Sequence, residues 1–181
     1  MGQKERLKGT ITEKNLLMAF KGESEARNKY TYFASRAKKE GYESISKIFE
    51  ETANNEKEHA KLWFKLINNI GSTEENLKTA IDTEYYEANT MYPEFSKIAK
   101  EEGFEDIADM FHEISEVEQA HHDRYKKLLE NIEKKRVFNS DKEVEWHCLN
   151  CGYIHKGKSA PEICPACKHE QSYFERYAKN Y

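Results

Sequence analysis

The chain has 181 residues, a net charge of −4 and charged side chains at 34% of its positions. That length holds one ordinary domain and a small second one, and the absence of a basic block or Lys/Arg stripe argues against nucleic acid as a partner. The longest apolar run near the start, LLMAF at 16–20, is too short for a secretory segment or a membrane span, and MGQKER lacks the hydroxyl residue that myristoylation wants at residue 6. A cytoplasmic protein without a membrane partner is expected.

Residues 12 to about 132 are rich in Glu, Lys, Ala and Leu, and their apolar residues recur at helical spacing, as in Ile45/Ile48/Phe49/Thr52 and Ile107/Met110/Phe111/Ile114. With Gly41, Gly71 and Gly103 as punctuation, four helices are expected at 12–39, 43–69, 75–101 and 104–132. Each carries an apolar stripe that only a bundle can cover. From about 134 the helical period stops. The expected organisation is a four-helix bundle over 1–135, a linker over 136–145, and a small cysteine-bearing domain over 146–181.

The helical half is duplicated. Residues 37–59 moved by 62 positions fall on 99–121 with 10 identities in 23. Glu56 and His59 thereby land on Glu118 and His121. A lone Glu-x-x-His is a weak signal, because glutamate fills 28 of 181 positions and a solvated helix face is the ordinary reading. Two pairs at equivalent places carry more weight, since residues three apart share a helix face. Glu23 and Glu84, 33 and 34 residues upstream of Glu56 and Glu118, are the matching candidates on the other two helices. One Glu from each of two helices plus Glu-x-x-His from each of two others is the pattern of a di-iron carboxylate site. Oxygen-rich ligation with one imidazole per metal suits iron or manganese. Two divalent ions also balance four inward carboxylates, which would otherwise repel one another. Glu87, one turn after Glu84, is a fifth candidate.

The offset changes along the third helix. A shift of 62 sends Glu23 to Tyr85, one residue past Glu84, but sends Tyr30 to Tyr92 and Phe33 to Phe95. One extra residue predicts a π-bulge near 86–91. Tyr30 and Tyr92 lie about two turns beyond Glu23 and Glu84, either as hydrogen-bond donors to ligating carboxylates or as core aromatics. His112 and His122 read as ordinary surface or packing residues.

All four cysteines fall in a C-x2-C-x12-C-x2-C pattern: Cys148, Cys151, Cys164 and Cys167. This is a strong signal for a tetrahedral thiolate site, although the cysteines alone do not separate iron from zinc. Trp146, Tyr153 and Phe174 are expected to shield it, and backbone N–H groups of the CGY and CPAC knuckles to reach sulfur.

Over nearly the whole chain, TEKNLLMAFKGESEARNKY (12–30), EETANNEKEHAK (50–61), TMYPEFSKIAKEEGF (90–104) and WHCLNCGYIHKGKSAPEICPACKHEQSYFE (146–175) resemble the rubrerythrin family. The resemblance implies a ferritin-like di-iron bundle followed by a rubredoxin-like Fe(Cys)4 domain. It implies that Glu23, Glu56, Glu84, Glu87, Glu118, His59 and His121 bind two irons, with His59 and Glu87 exchanging at one iron between redox states, and that the four cysteines bind a third. The implied activity is a peroxidase that reduces hydrogen peroxide to water in protection against oxidative stress. No Gly-x-Gly-x-x-Gly is present to bind a dinucleotide, so a separate reductase or small carrier is expected to supply electrons. A head-to-tail homodimer or larger assembly is also implied. Oxygen reduction is the nearest rival activity; a ferroxidase or iron-storage protein would have no evident use for the thiolate-bound iron.

Overall fold

The structure is a computed structural model that describes residues 2–68 and 70–180, without the side chain of Gln3. Met1, Asn69 and Tyr181 bound the expected first domain, second helix and last domain, and lie outside the described residues. The chain forms two compact units, which meet in sequence at Ile70 and Gly71.

The first unit contains α1 (Gln3–Leu7), α2 (Ile11–Lys39) and α3 (Glu43–Ile67). Thr10 caps α2 by accepting the Glu13 backbone N–H at 3.1 Å. Between α2 and α3 the chain reverses at Gly41, whose φ of 85° lies in the left-handed region where a Cβ is disfavoured. There the Tyr42 N–H donates to the Ala37 carbonyl at 2.9 Å. Buried Ala34, Ala37, Ser46, Ala53 and Ala60 line the contact of α2 with α3, and such small side chains permit close helix approach.

The second unit opens with α4 (Thr73–Tyr86), a π-helical segment (Glu87–Met91), α5 (Tyr92–Glu101) and α6 (Glu105–Glu133). Ser72 and Glu75 form a reciprocal capping box, which starts α4 two residues ahead of the expected position. The π segment falls where the changed offset predicts it. There the Tyr92 N–H reaches back five residues to the Glu87 carbonyl, and Pro93 follows at once with no N–H to continue an ordinary ladder. Gly103 repeats Gly41, with the same φ of 85° and a Phe104 N–H to Ala99 carbonyl bond of 2.8 Å.

The duplication extends into packing. Tyr30, Phe33 and Phe49 form a trio with ring separations of 5.7–6.3 Å. Tyr92, Phe95 and Phe111 repeat it at 5.6–6.4 Å. One cross-helix hydrogen bond is kept with its roles exchanged. Ser46 Oγ on α3 donates to the Ala34 carbonyl on α2 at 2.9 Å, whereas Ser96 on α5 donates to Ala108 on α6 at 2.8 Å.

After α6 the second unit continues into β1 (Asn139–Cys148), β2 (Ile154–Ser159), a 3-10 turn (Gln171–Tyr173) and β3 (Phe174–Arg176), an antiparallel sheet in the order β2-β1-β3. Much of the stretch expected as a linker, 136–145, lies in β1. Its alternation places Val144, Trp146 and Cys148 toward a core with Ala160, Cys164 and Phe174. The Trp146 indole donates to the Gly157 carbonyl at 3.0 Å, and Arg176 reaches back to the carbonyls of Arg136 and Asn139. The mainly helical chain thus ends in a small sheet that carries the cysteines. Among the described residues no helix is long and apolar enough to cross a membrane.

Candidate metal centres

Each helical hairpin assembles one carboxylate–histidine set. In the first, α2 supplies Glu23 and α3 supplies Glu56 and His59. His59 Nδ1 lies 2.9 Å from Glu56 Oε2 and 3.7 Å from Glu23 Oε2. In the second, α4 supplies Glu84 and α6 supplies Glu118 and His121, with the matching distances 2.7 and 3.6 Å. Within each set, one ligand atom per residue lies within 4.8 Å of the others.

The carboxyls within a set are close enough to share a proton. Glu23 is held above the ordinary carboxylate range, first by its hydrogen bond to Glu56, then by burial and the Glu56 charge. Glu56 is correspondingly lowered by the same bond and by His59. Glu84 is also raised, by burial first and then by the hydrogen bond and charge of Glu118. A divalent cation between the two carboxyls of a set would cancel this repulsion. Two oxygen donors and one imidazole nitrogen per set fit a divalent iron or manganese ion.

The fifth carboxylate candidate, Glu87, lies outside both three-residue groups, at the first position of the π segment. It is near enough for its charge to raise Glu84. It also raises Tyr92, whose hydroxyl is elevated by burial first and then by Glu87, Glu118 and Glu84. Tyr30 packs against Phe33 and Phe49. His112 pairs with Glu116 on the surface, and His122 meets the Ile81 carbonyl, so both stand in ordinary roles.

One neighbour of the first set has no counterpart in the sequence reading. Among the described residues the buried Trp63 indole N–H makes no full hydrogen bond, yet it lies close enough to Glu23 to favour its ionised form. Trp63 follows His59 by four residues and so shares its face. The 62-residue offset places Tyr125 at this position in the second half, so the repeat did not mark it.

The third cluster consists of Cys148, Cys151, Cys164 and Cys167. The Cys148–Cys167 and Cys151–Cys164 sulfurs are each 3.7 Å apart. A disulfide would bring them to about 2 Å. Four sulfurs about 2.3 Å from a tetrahedral ion stand about 3.8 Å from one another, so the observed spacing fits a metal. The His169 backbone N–H is the main cause that lowers Cys167 to about 5. The Tyr153 N–H likewise reaches Cys151, although the neighbouring thiols and burial push that group up to about 12. Trp146 and Phe174 are buried beside the cluster, and Tyr153 packs against them, as the expected shielding requires.

Residues 14–129 match the family described as Rubrerythrin, and residues 146–175 match the family described as Rubrerythrin, rubredoxin-like domain. The chain is 49% identical over 188 residues to the Rubrerythrin of Porphyromonas gingivalis, covering 97% of this chain and 94% of that protein. It is 45% identical over 188 residues to the Rubrerythrin of Nitratidesulfovibrio vulgaris, covering 97% and 98%. Nigerythrin from the same organism is 34% identical over 181 residues, covering 92% and 86%.

Proposed function

Because the chain belongs to the rubrerythrin family, with its di-iron and rubredoxin-like iron centres, we propose that it is a non-haem di-iron peroxidase that reduces hydrogen peroxide to water. Family membership makes iron-based redox chemistry its general class. The observation that supports the peroxidase reading most is the presence, in one chain, of two matched carboxylate–histidine sets and a four-thiolate cluster. The first can hold an electron-rich metal pair and the second can reload it.

In this reading Glu23, Glu56, Glu84, Glu87, Glu118, His59 and His121 hold two irons, and Cys148, Cys151, Cys164 and Cys167 hold one. When bound, the iron pair supplies two electrons to the O–O bond, and the thiolate-bound iron returns them singly. Hydrogen peroxide takes up two electrons and two protons and leaves as two waters. The chain's own groups set the conditions. The carboxylates would neutralise the cations, and His59 and Glu87 would serve as alternative ligands to one of them. Burial and the surrounding negative charge both hold the proton on the Tyr92 hydroxyl, which suits it to donate a hydrogen bond to the carboxylates, and Tyr30 is assigned the same role.

The reading includes a di-iron domain at 1–135, a join at 136–145 and a rubredoxin-like domain at 146–181. It also includes a cytoplasmic location, a separate reductase or rubredoxin-type electron donor, and a head-to-tail homodimer or larger. The test is to mix the reduced, iron-loaded protein separately with peroxide and with O2, following visible absorbance. Faster reoxidation by peroxide is expected. Faster reoxidation by O2 would make the protein an oxygen reductase instead.

A further inference from the structure

The duplication supplies an internal comparison on the flank of each helical hairpin, beside its carboxylate–histidine set. In the second hairpin, Tyr85 on α4 and His122 on α6 pack with ring centres 5.5 Å apart. His122 Nδ1 also meets the Ile81 carbonyl at 3.1 Å. The Asn89 side-chain amide donates to Gln119 Oε1 at 3.1 Å, and Gln119 Nε2 donates to Asp123 Oδ1 at 3.2 Å. Rings and hydrogen bonds thus fill this flank.

The same flank of the first hairpin is open. Aligning Glu23 with Glu84 puts Ser24 at the place of Tyr85, and the 62-residue offset puts Ala60 at the place of His122. A hydroxymethyl and a methyl group replace the two rings, and the Ser24 hydroxyl turns back to donate to the Phe20 carbonyl at 2.7 Å. A groove of about 430 Å³ remains between α2 and α3, a volume typical of small-ligand sites.

Its lining combines rings with positive charge. The half-buried Phe20 and Phe64 have ring centres 5.3 Å apart and form the apolar part. Arg27, Lys57 and Lys61 border it. Lys61 reaches Glu58 at 3.3 Å, and Arg27 meets the Asn28 side chain at 3.5 Å. Among the described residues no carboxylate pairs with Arg27 or Lys57. The corresponding residues of the second hairpin are Ala88, Gln119 and Asp123, which carry no positive charge. Missing rings and unneutralised cations therefore coincide at one place, in a chain whose net charge is −4.

We propose that this groove binds a small aromatic carboxylate. The ligand's ring lies against Phe20 and Phe64 over Ala60, in the space that Tyr85 and His122 fill in the other hairpin. Its carboxylate is held by Arg27, whose planar guanidinium matches that group, and Lys57 adds a second charge. None of these residues is among the proposed metal ligands, so the inference stands apart from the peroxidase reading.

Calorimetry on the full-length, iron-loaded protein tests this, with indole-3-acetate and phenylacetate as probes and indole and acetate as controls. Each aromatic acid should bind once per chain. Indole and acetate should each bind at least about tenfold more weakly than indole-3-acetate, the effect of one charge-assisted hydrogen bond. Arg27→Ala/Lys57→Ala changes exposed side chains and should bring indole-3-acetate to the affinity of indole. Ser24→Tyr/Ala60→His copies the filled hairpin and should abolish binding, with helical circular dichroism reporting that the chain is folded. If that variant does not fold, the Arg27→Ala/Lys57→Ala chain decides. The proposal is overturned if neither acid binds, if indole or acetate binds as tightly as indole-3-acetate, or if either folded variant keeps wild-type affinity. Should neither acid bind while Ser24→Tyr/Ala60→His lowers the oligomeric state in light scattering, a second copy of the chain holds the groove, and the proposal fails.

Discussion

Among the described residues the buried indole N–H of Trp63 makes no full hydrogen bond, yet it lies close enough to Glu23 across the α2–α3 contact to favour the ionised carboxyl. An unmade hydrogen bond of this kind is costly. A carboxylate turned by a bound cation would satisfy it. Trp63→Phe keeps the ring and removes the donor. Iron affinity of the first set is expected to fall about tenfold, the lower end for groups that orient metal ligands. Titration of the metal-free protein with Fe(II) checks this, and unchanged affinity would give the indole a packing role only.

Proton linkage gives a second expectation. Glu23 and Glu84 hold their protons more tightly in the folded, metal-free protein than in the unfolded chain. Their contribution favours folding below the ordinary carboxylate pKa and is lost as pH rises through the raised values. Metal binding must expel these protons. Affinity should therefore fall as pH drops through that window, with proton release measurable by calorimetry in two buffers. Glu23→Gln should stabilise the metal-free protein at pH 7 while weakening metal binding. Loss of stability in the metal-free variant would contradict the shared-proton account.

Glu87 bears on redox poise. Its charge reaches Glu84 and Tyr92, and an extra carboxylate favours the more oxidised metal pair. Glu87→Ala should leave two irons bound and raise their potential by on the order of 60 mV, a tenfold change for one electron. Redox titration of the loaded protein reads this. An unmoved potential would remove Glu87 from the centre.

The small sheet has few buried side chains of its own, chiefly Trp146, Ala160, Phe174 and the two cysteines Cys148 and Cys164. Metal binding to such sites contributes on the order of 10 kcal/mol to folding. Strong chelation should therefore melt the sheet and leave the hairpins helical. Loss of near-UV signal from Trp146 with little change in helical circular dichroism is the expected result, and Cys164→Ser should reproduce it. A sheet that survives chelation would show that its apolar core is sufficient.

The left-handed hairpin turns make a simpler test. Gly41→Ala and Gly103→Ala each force a Cβ into a φ of 85°. Each should cost about 1 kcal/mol, read from thermal unfolding, with similar losses because the two turns share their geometry.

Much of this protein was legible in the residues because duplication and covalent spacing are local properties. The 62-residue repeat marked Gly41 with Gly103 and His59 with His121, and its one-residue slip marked the π segment before Tyr92. The cysteine spacing marked the thiolate cluster. Other features depend on what meets in space. Trp63 became visible only when α2 and α3 packed, since neither repeat nor motif carries it. The strand over Asn139–Cys148 escaped because its alternation lies among charged residues and acquires meaning only when Trp146 and Cys148 share a core with Phe174. Sequence alone thus determined which donors are available and at what intervals, as intervals survive in any conformation. Only the tertiary structure decided which carboxyls come close enough to shift one another and that the Trp63 indole faces Glu23, because those properties depend on distances between helices.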